Sequence, residues 1–315
     1  MKAPFAIVSV GLVGIVLGMF ARGEQQPDKE TEASIIGASH FVERDGQRIH
    51  VWSKAPEDWD ASLGRVIVFM HGGTYSGRPD FDLAVDDYSV MDAFVRRGWA
   101  TYAVDAQGYG ASDNPKEESW CSARDAAQDL EVAVKWICKQ RKVPKVSLLG
   151  WSWGCQVVGE FAQNNPARVQ SVILQGASFE AKYEMGELQN RFRSNDAQGA
   201  ASDFIEGCFE QHVVDAYLTQ CLLHDPDSPN GVLRDFAIGS TQVLKPETWT
   251  WPTLIVLGEH EAKPERQRDM ANFYLQLKSK RKAMVQVPGG GHAVLLERPH
   301  LAWQGLVADF LAYKD

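Results

Sequence analysis

Two kinds of pattern alternate along most of this chain. Short apolar runs at 65–70, 100–104, 146–149, 169–174, 252–258 and 283–288 have the length and β-branched content of buried strands. Between them, apolar residues three or four positions apart predict helices at 86–97, 122–141, 155–163, 264–278 and 301–313. Ahead of the first run, Phe41–Arg44 and Arg48–Trp52, joined by Asp45-Gly46, predict a hairpin of antiparallel strands. Strands alternating with helices predict an α/β domain with a mostly parallel central sheet flanked by helices on both faces. The alternation breaks between Phe179 and about Thr250. No strong strand is expected there, only weakly amphipathic helices at Tyr183–Arg193, Ala201–Gly207 and Glu210–Leu223 and a turn at Asp225–Gly231. An insertion of about 70 residues between core strands predicts a helical cap, residues 179–249, over a core made of 38–178 and 250–315.

The N-terminus stands outside this pattern. Lys2 precedes an apolar run from Ala3 to Phe20, then Ala21-Arg22-Gly23 and a polar, acidic stretch. Residues 1–23 are expected to be a signal peptide cleaved after Gly23, or an N-terminal membrane anchor in which residues 3–20 stay in the bilayer. Gly11, Gly14 and Gly18 weaken a permanent helix and favour cleavage. The expected location is therefore periplasmic or extracellular, or anchored at a membrane, with 24–37 as a linker.

Composition narrows the partners. A formal net charge of −9 over 315 residues argues against nucleic acid, whose phosphates need a clustered basic face. The one dense basic run, Lys278–Lys282, ends a predicted helix, where the helix dipole favours cations. The five cysteines make no C-x-x-C pair and no Cys/His spacing suited to zinc. Cys121 and Cys138 bracket a helix and are too far apart to bond. Cys208 with Cys221 is the pairing worth testing, and Cys155 reads as a small buried apolar residue.

The chemistry gathers at the carboxyl ends of the predicted strands, where α/β sheets bind ligands. Gly150-Trp151-Ser152-Trp153-Gly154 follows one strand and opens a helix. This is the setting of a nucleophile elbow: a strained turn whose glycines admit close backbone approach and whose serine is presented at the tip. A serine hydroxyl needs a base. His292, after three glycines at a strand end, is the candidate, with His260 as rival. Glu261, with Glu259 as alternative, is the carboxylate that would orient it. His71-Gly72-Gly73-Thr74 ends another strand, so the amides of Gly73, or Thr74 if the loop is displaced, and Trp153 are expected to form an oxyanion hole. His71 reads as a residue bracing that loop, and Asp105 as a turn anchor.

Together these motifs, with the Asp105–Ser112 turn and Glu297-Arg298-Pro299 behind His292, resemble the α/β-hydrolase fold superfamily over nearly everything after Ala38. The order serine, acid, histidine agrees with that family. One departure is the acid, usually aspartate there and glutamate here. The resemblance implies a serine hydrolase without cofactor that cleaves a carboxylic ester or a lactone in a small-molecule substrate through an acyl-enzyme. A serine at the elbow, in place of aspartate, argues against dehalogenase or epoxide-hydrolase chemistry. A second resemblance, to proline iminopeptidases, implies an aminopeptidase. Those enzymes have Pro-Gly where this chain has Thr74-Tyr75 and Arg where it has Gln107. Glu184, Glu187 or Glu206 of the cap would then hold the substrate's α-amino group. A small-ligand-binding protein that has kept the fold without turnover is the alternative of another class.

Overall fold

The computed structural model describes residues 35–179, 188–238, 244–261 and 264–313. The expected signal segment and most of the linker therefore lie outside the described residues. Among the described residues no helix is long and apolar enough to cross a membrane.

The hairpin forms as β1 (Ala38–Arg44) and β2 (Gln47–Lys54). Its turn residues Asp45 and Gly46 both take positive φ, 53° and 82°, the geometry that two-residue hairpin loops require. Parallel strands follow at β3 (Val66–Met70), β4 (Ala100–Val104), β5 (Val146–Trp151) and β6 (Val169–Gln175). With β9 (Thr253–Gly258) and β10 (Lys282–Val287) they complete an eight-stranded sheet of order β1-β2-β4-β3-β5-β6-β9-β10. Only the β1–β2 and β2–β4 pairs are antiparallel.

Alternation along each strand divides the core in two. Val66, Val68 and Met70 face α3 (Ala123–Arg141) and α4 (Gly154–Asn164), whereas Ile67 and Phe69 share the other face with α2 (Val90–Val95) and α9 (His300–Ala312). Each fully buried side chain of this kind contributes about 1.5–3 kcal/mol relative to exposure. Ser122 starts α3 with a reciprocal capping box, its hydroxyl accepting from Asp125 N–H while the Asp125 carboxylate accepts from Ser122 N–H.

Several expected elements change. The helix expected at 86–97 shrinks to α2, because Asp86 takes φ 44° and Ser89 supplies the N-cap. Preceding it is a single turn, α1 (Gly77–Phe81). Of the helix expected at Tyr183–Arg193, residues 183–187 lie outside the described part. The remainder is not helical: Phe192–Ser194 is β7, paired antiparallel with β8 (Asp227–Pro229) inside what was expected to be a plain turn. This ribbon sits where no strand was expected, because cross-strand pairing with a partner some 30 residues on leaves no local periodic trace. The helix expected at Ala201–Gly207 is instead α5 (Ala197–Ala201). Asp196 caps its first turn, and Gly207 at φ 88° lies beyond it. The remaining helices are α6 (Gln211–His224), α7 (Gly231–Ile238) and α8 (Pro264–Gln276). All five cysteines are free, so Cys208 and Cys221 are unpaired; Cys221 packs on α6 beside Tyr217.

Candidate active site

The elbow is built by backbone sterics. A Cβ on Gly150 would lie 2.4 Å from the Gly154 carbonyl oxygen, and one on Gly154 would lie 2.3 Å from the carbonyl oxygen of Met70. Both approaches are closer than any side chain permits, so β5, β3 and α4 meet this tightly only because both positions are glycine. Between them Ser152 is held at φ 54°, a left-handed conformation costly for a residue with a side chain. Its N–H donates to Gln175 O at 2.8 Å. Cys155, directly behind, is fully buried and donates its thiol to the Gly150 and Gln175 carbonyls.

Ser152 and His292 line one cavity of about 640 Å³. The elbow also fixes the histidine's backbone. The His292 carbonyl accepts from the Trp151 indole at 3.1 Å and from the Gln175 amide at 3.4 Å. Gly176 at φ 62° makes room for the imidazole, since a Cβ there would lie 2.8 Å from His292 Nδ1 and Cε1. Behind the histidine loop, the buried Glu297 carboxyl accepts the Gly291 N–H. Burial pushes Glu297 up to about 7.

The two candidate acids differ in placement. Glu261 Oε2 lies 3.4 Å from His292 Nδ1, and its side chain is wholly buried. Burial works against its charge, yet the neighbouring His292 and Arg266 hold its carboxyl below the ordinary value. Glu259 is exposed. It accepts the Gly289 N–H at 2.9 Å and sits beside His260 on the surface.

The loop after β3 presents Gly72, Gly73 and Thr74 to the same cavity. The Gly72 N–H is committed to Asp80 Oδ2 at 2.9 Å. A Cβ on Gly73 would approach Trp153 Cβ to 3.4 Å, so the two expected oxyanion donors are neighbours. His71 is buried and shifted down by that burial, hence neutral. Its Nε2 accepts the Ala106 N–H, which puts the ring proton on Nδ1, donating to Gly72 O at 2.7 Å. Asp105 takes the Gly77 N–H, the Ala111 N–H and His50 Nδ1. Both residues brace the loops beneath the cavity.

What sequence reasoning missed comes mainly from the chain between β6 and β9. Arg193 donates to Gly73 O at 2.7 Å and to Thr74 Oγ1 at 3.2 Å. Asp225 takes the Ser76 and Gly110 N–H groups, and burial pushes it up to about 7. Tyr217 donates to Asp80, and Asp235 accepts the Trp153 indole N–H at 2.8 Å. These contacts tie the inserted segment to the elbow, the glycine loop, α1 and the Asp105–Ser112 turn across separations that leave no local signal. Glu184 and Glu187 lie outside the described residues, and Glu206 is exposed, away from the cavity lining. The carboxylate this segment does bring to the cavity is Asp203, together with Ile205 and Phe236.

Known proteins share this fold. Residues 64–299 match the model of the serine aminopeptidase family S33. A protein of Bacillus subtilis (strain 168), provisionally named 2-succinyl-6-hydroxy-2,4-cyclohexadiene-1-carboxylate synthase, is 23% identical over 300 residues, covering 88% of this chain and 99% of that one. An esterase from Exiguobacterium antarcticum has the same fold with a TM-score of 0.66 at 18% identity, covering 88% of this chain and all of that one. An N-acyl homoserine lactone degrading enzyme matches at a TM-score of 0.61 and 18% identity, covering 86% of this chain and 100% of the other.

Proposed function

This chain belongs to the serine aminopeptidase family S33 and is a hydrolase of the α/β-hydrolase fold, and from that premise we propose that it cleaves a carboxylic ester or lactone through an acyl-enzyme. The observation that carries this reading is Ser152 strained at the elbow, in one cavity with a histidine that has a buried glutamate behind it. In the proposed reaction Ser152 Oγ attacks the acyl carbon as His292 Nε2 takes its proton. The carbonyl oxygen becomes an oxyanion facing the amides of Gly73, or Thr74, and Trp153 at the opening of α4. His292 returns the proton to the leaving alcohol, and water then repeats the sequence to release the acid. Glu261 stabilises the imidazolium formed at each step. The segment 179–249 acts as a cap: Ile205, Val232 and Phe236 give the cavity an apolar wall for the acyl or alcohol part. The named relatives include an esterase and a lactone-degrading enzyme, which supports the same bond type.

A second reading, cleavage after an N-terminal residue, is favoured by Asp203, a carboxylate on the cavity wall able to meet an α-ammonium group. Purified protein and Ser152→Ala, assayed with p-nitrophenyl esters of graded length and amino-acid p-nitroanilides, separate the two. Ester turnover is expected and is expected to fall at least about a thousandfold in Ser152→Ala. Turnover confined to anilides, lost when the amino group is blocked, would replace the ester reading. Export remains part of the proposal. Processing after Gly23, read by mass spectrometry of protein secreted from a bacterial host, distinguishes a cleaved signal from an anchor.

A further inference from the structure

A fourth side chain intrudes into the serine, histidine and glutamate set. Arg266, on α8, places Nη1 2.8 Å from Glu261 Oε2, 2.6 Å from His292 Nδ1 and 3.3 Å from Gly176 O. Glu261 Oε2 is 3.4 Å from that same Nδ1, well beyond the roughly 2.7–2.9 Å of a charge-assisted hydrogen bond. A guanidinium has donors and no acceptor, so Nδ1 facing it must accept. The proton of the neutral imidazole then resides on Nε2. In that tautomer the nitrogen turned away from the acid has no lone pair for the serine proton, and the base is off.

We propose that Arg266 is a latch on His292 released by an anionic group of the substrate, so that this enzyme acts preferentially on esters carrying a carboxylate. The proposal rests on the ester-hydrolysis reading above and names its substrate class. Arg266 is a positioning and specificity residue in it, acting on the histidine.

The charges around the cavity support an anion as the releasing group. Arg193 lines the same cavity, and the acceptors recorded for its guanidinium are all neutral: Gly73 O, Thr74 Oγ1, Pro229 O and Asn230 Oδ1. None of these acceptors is a carboxylate. Of the cavity's carboxyls, Asp80 is buried, takes the Gly72 N–H and the Tyr217 hydroxyl, and is pushed well above the ordinary range by burial. Asp203 is also raised by burial, against the opposing charges of His292 and Arg266. Glu261 is matched by Arg266 itself. An entering carboxylate meets the guanidinium groups of Arg193 and Arg266, which share this cavity's wall with Asp203. The latched pair is also incompletely satisfied, with Glu261 Oε1 and Arg266 Nε buried and lacking hydrogen-bond partners among the described residues. A bidentate substrate carboxylate offers Arg266 the acceptors it lacks.

As the guanidinium turns to the substrate carboxylate, the imidazole exchanges its Nε2 proton for one on Nδ1 through solvent, without net change. Nδ1–H then donates to Glu261, and Nε2 accepts the Ser152 proton as Oγ bonds to the acyl carbon.

The test compares p-nitrophenyl monoadipate with p-nitrophenyl hexanoate, esters of equal acyl length that differ by the terminal carboxylate. The full chain, Arg266→Gln and Arg266→Lys are the proteins. The wild type is expected to favour the monoadipate by about tenfold or more in kcat/KM. Arg266→Gln is expected to bring the ratio towards one by raising kcat on hexanoate, and Arg266→Lys to keep part of the preference. Millimolar acetate should speed hexanoate cleavage by the wild type, a readout that needs no variant to fold. Equal use of both esters by a serine-dependent wild type overturns the latch alone. So does a parallel loss of both activities in Arg266→Gln together with no acetate effect. Turnover of either ester that survives Ser152→Ala overturns the reading beneath it.

Discussion

The elbow around Ser152 and the corner around Glu261 meet at His292, yet they are made differently. At the elbow every constraint is backbone against backbone: two glycines with no room for a Cβ, and a serine forced to positive φ between them. At the corner two side chains, Arg266 and Glu261, compete for one nitrogen of the His292 imidazole, at 2.6 and 3.4 Å. The elbow has one state, fixed by sterics. The corner has a choice of partners, because ion pairs and hydrogen bonds of similar strength can be exchanged. A rigidly placed serine sharing a cavity with a histidine of exchangeable partners is an arrangement in which binding can be coupled to activation.

The contrast can be broken most severely at the corner. Glu261→Gln is expected to lower kcat/KM by about three to four orders of magnitude, as loss of the orienting acid does in comparable triads, whereas Glu259→Gln should stay within about threefold. Ester kinetics of the two variants check this, and equal effects would move the acid to the surface residue. At the elbow the expected damage is to folding. Gly154→Ala drives a methyl into the carbonyl oxygens of Met70 and His71, so denaturant melts should report a loss of about 3 kcal/mol or more. Gly176→Ala lies between the two regions. Its methyl would displace the imidazole, so activity should fall about tenfold or more while most of the stability remains, measured by parallel kinetics and melts.

The smallest effect concerns Glu297, held near 7 by burial where an ordinary glutamate titrates at 4.5. Because its folded value is raised, the native state binds the extra proton. The stability this provides is complete below about 4.5 and is lost as pH rises through about 7. Glu297→Gln keeps a carbonyl for the Gly291 N–H without the charge. Its melting temperature should therefore fall less than the wild type's between pH 5 and pH 8, by a difference of a few degrees (~2–4 °C).

Most of the core was legible because its signals are local. β3 to β6, β9 and β10 are buried runs whose apolar content is independent of their partners, and Gly-x-Ser-x-Gly states its own geometry within five residues. The extended hairpin and α9 were legible for the same reason. Asp86 at positive φ, which shortened α2, carried a turn signal too weak to outweigh the periodicity around it.

Other features belong to the folded molecule alone. The sequence determined that a serine would stand at a strand end, that a histidine would close the last strand, and that a segment without sheet periodicity would be inserted between β6 and β9, since each depends on residues adjacent in the chain. It left Glu259 and Glu261 open, because two positions on one turn differ only in which way the fold aims them. Tertiary structure alone decided that Glu261 is buried beside His292, that Arg266 stands between them, and that Arg193, Asp225 and Asp235 bind the inserted segment to the loops below. Such contacts join residues far apart in the chain, and their energies come from exclusion of water and charge pairing, which no local pattern encodes.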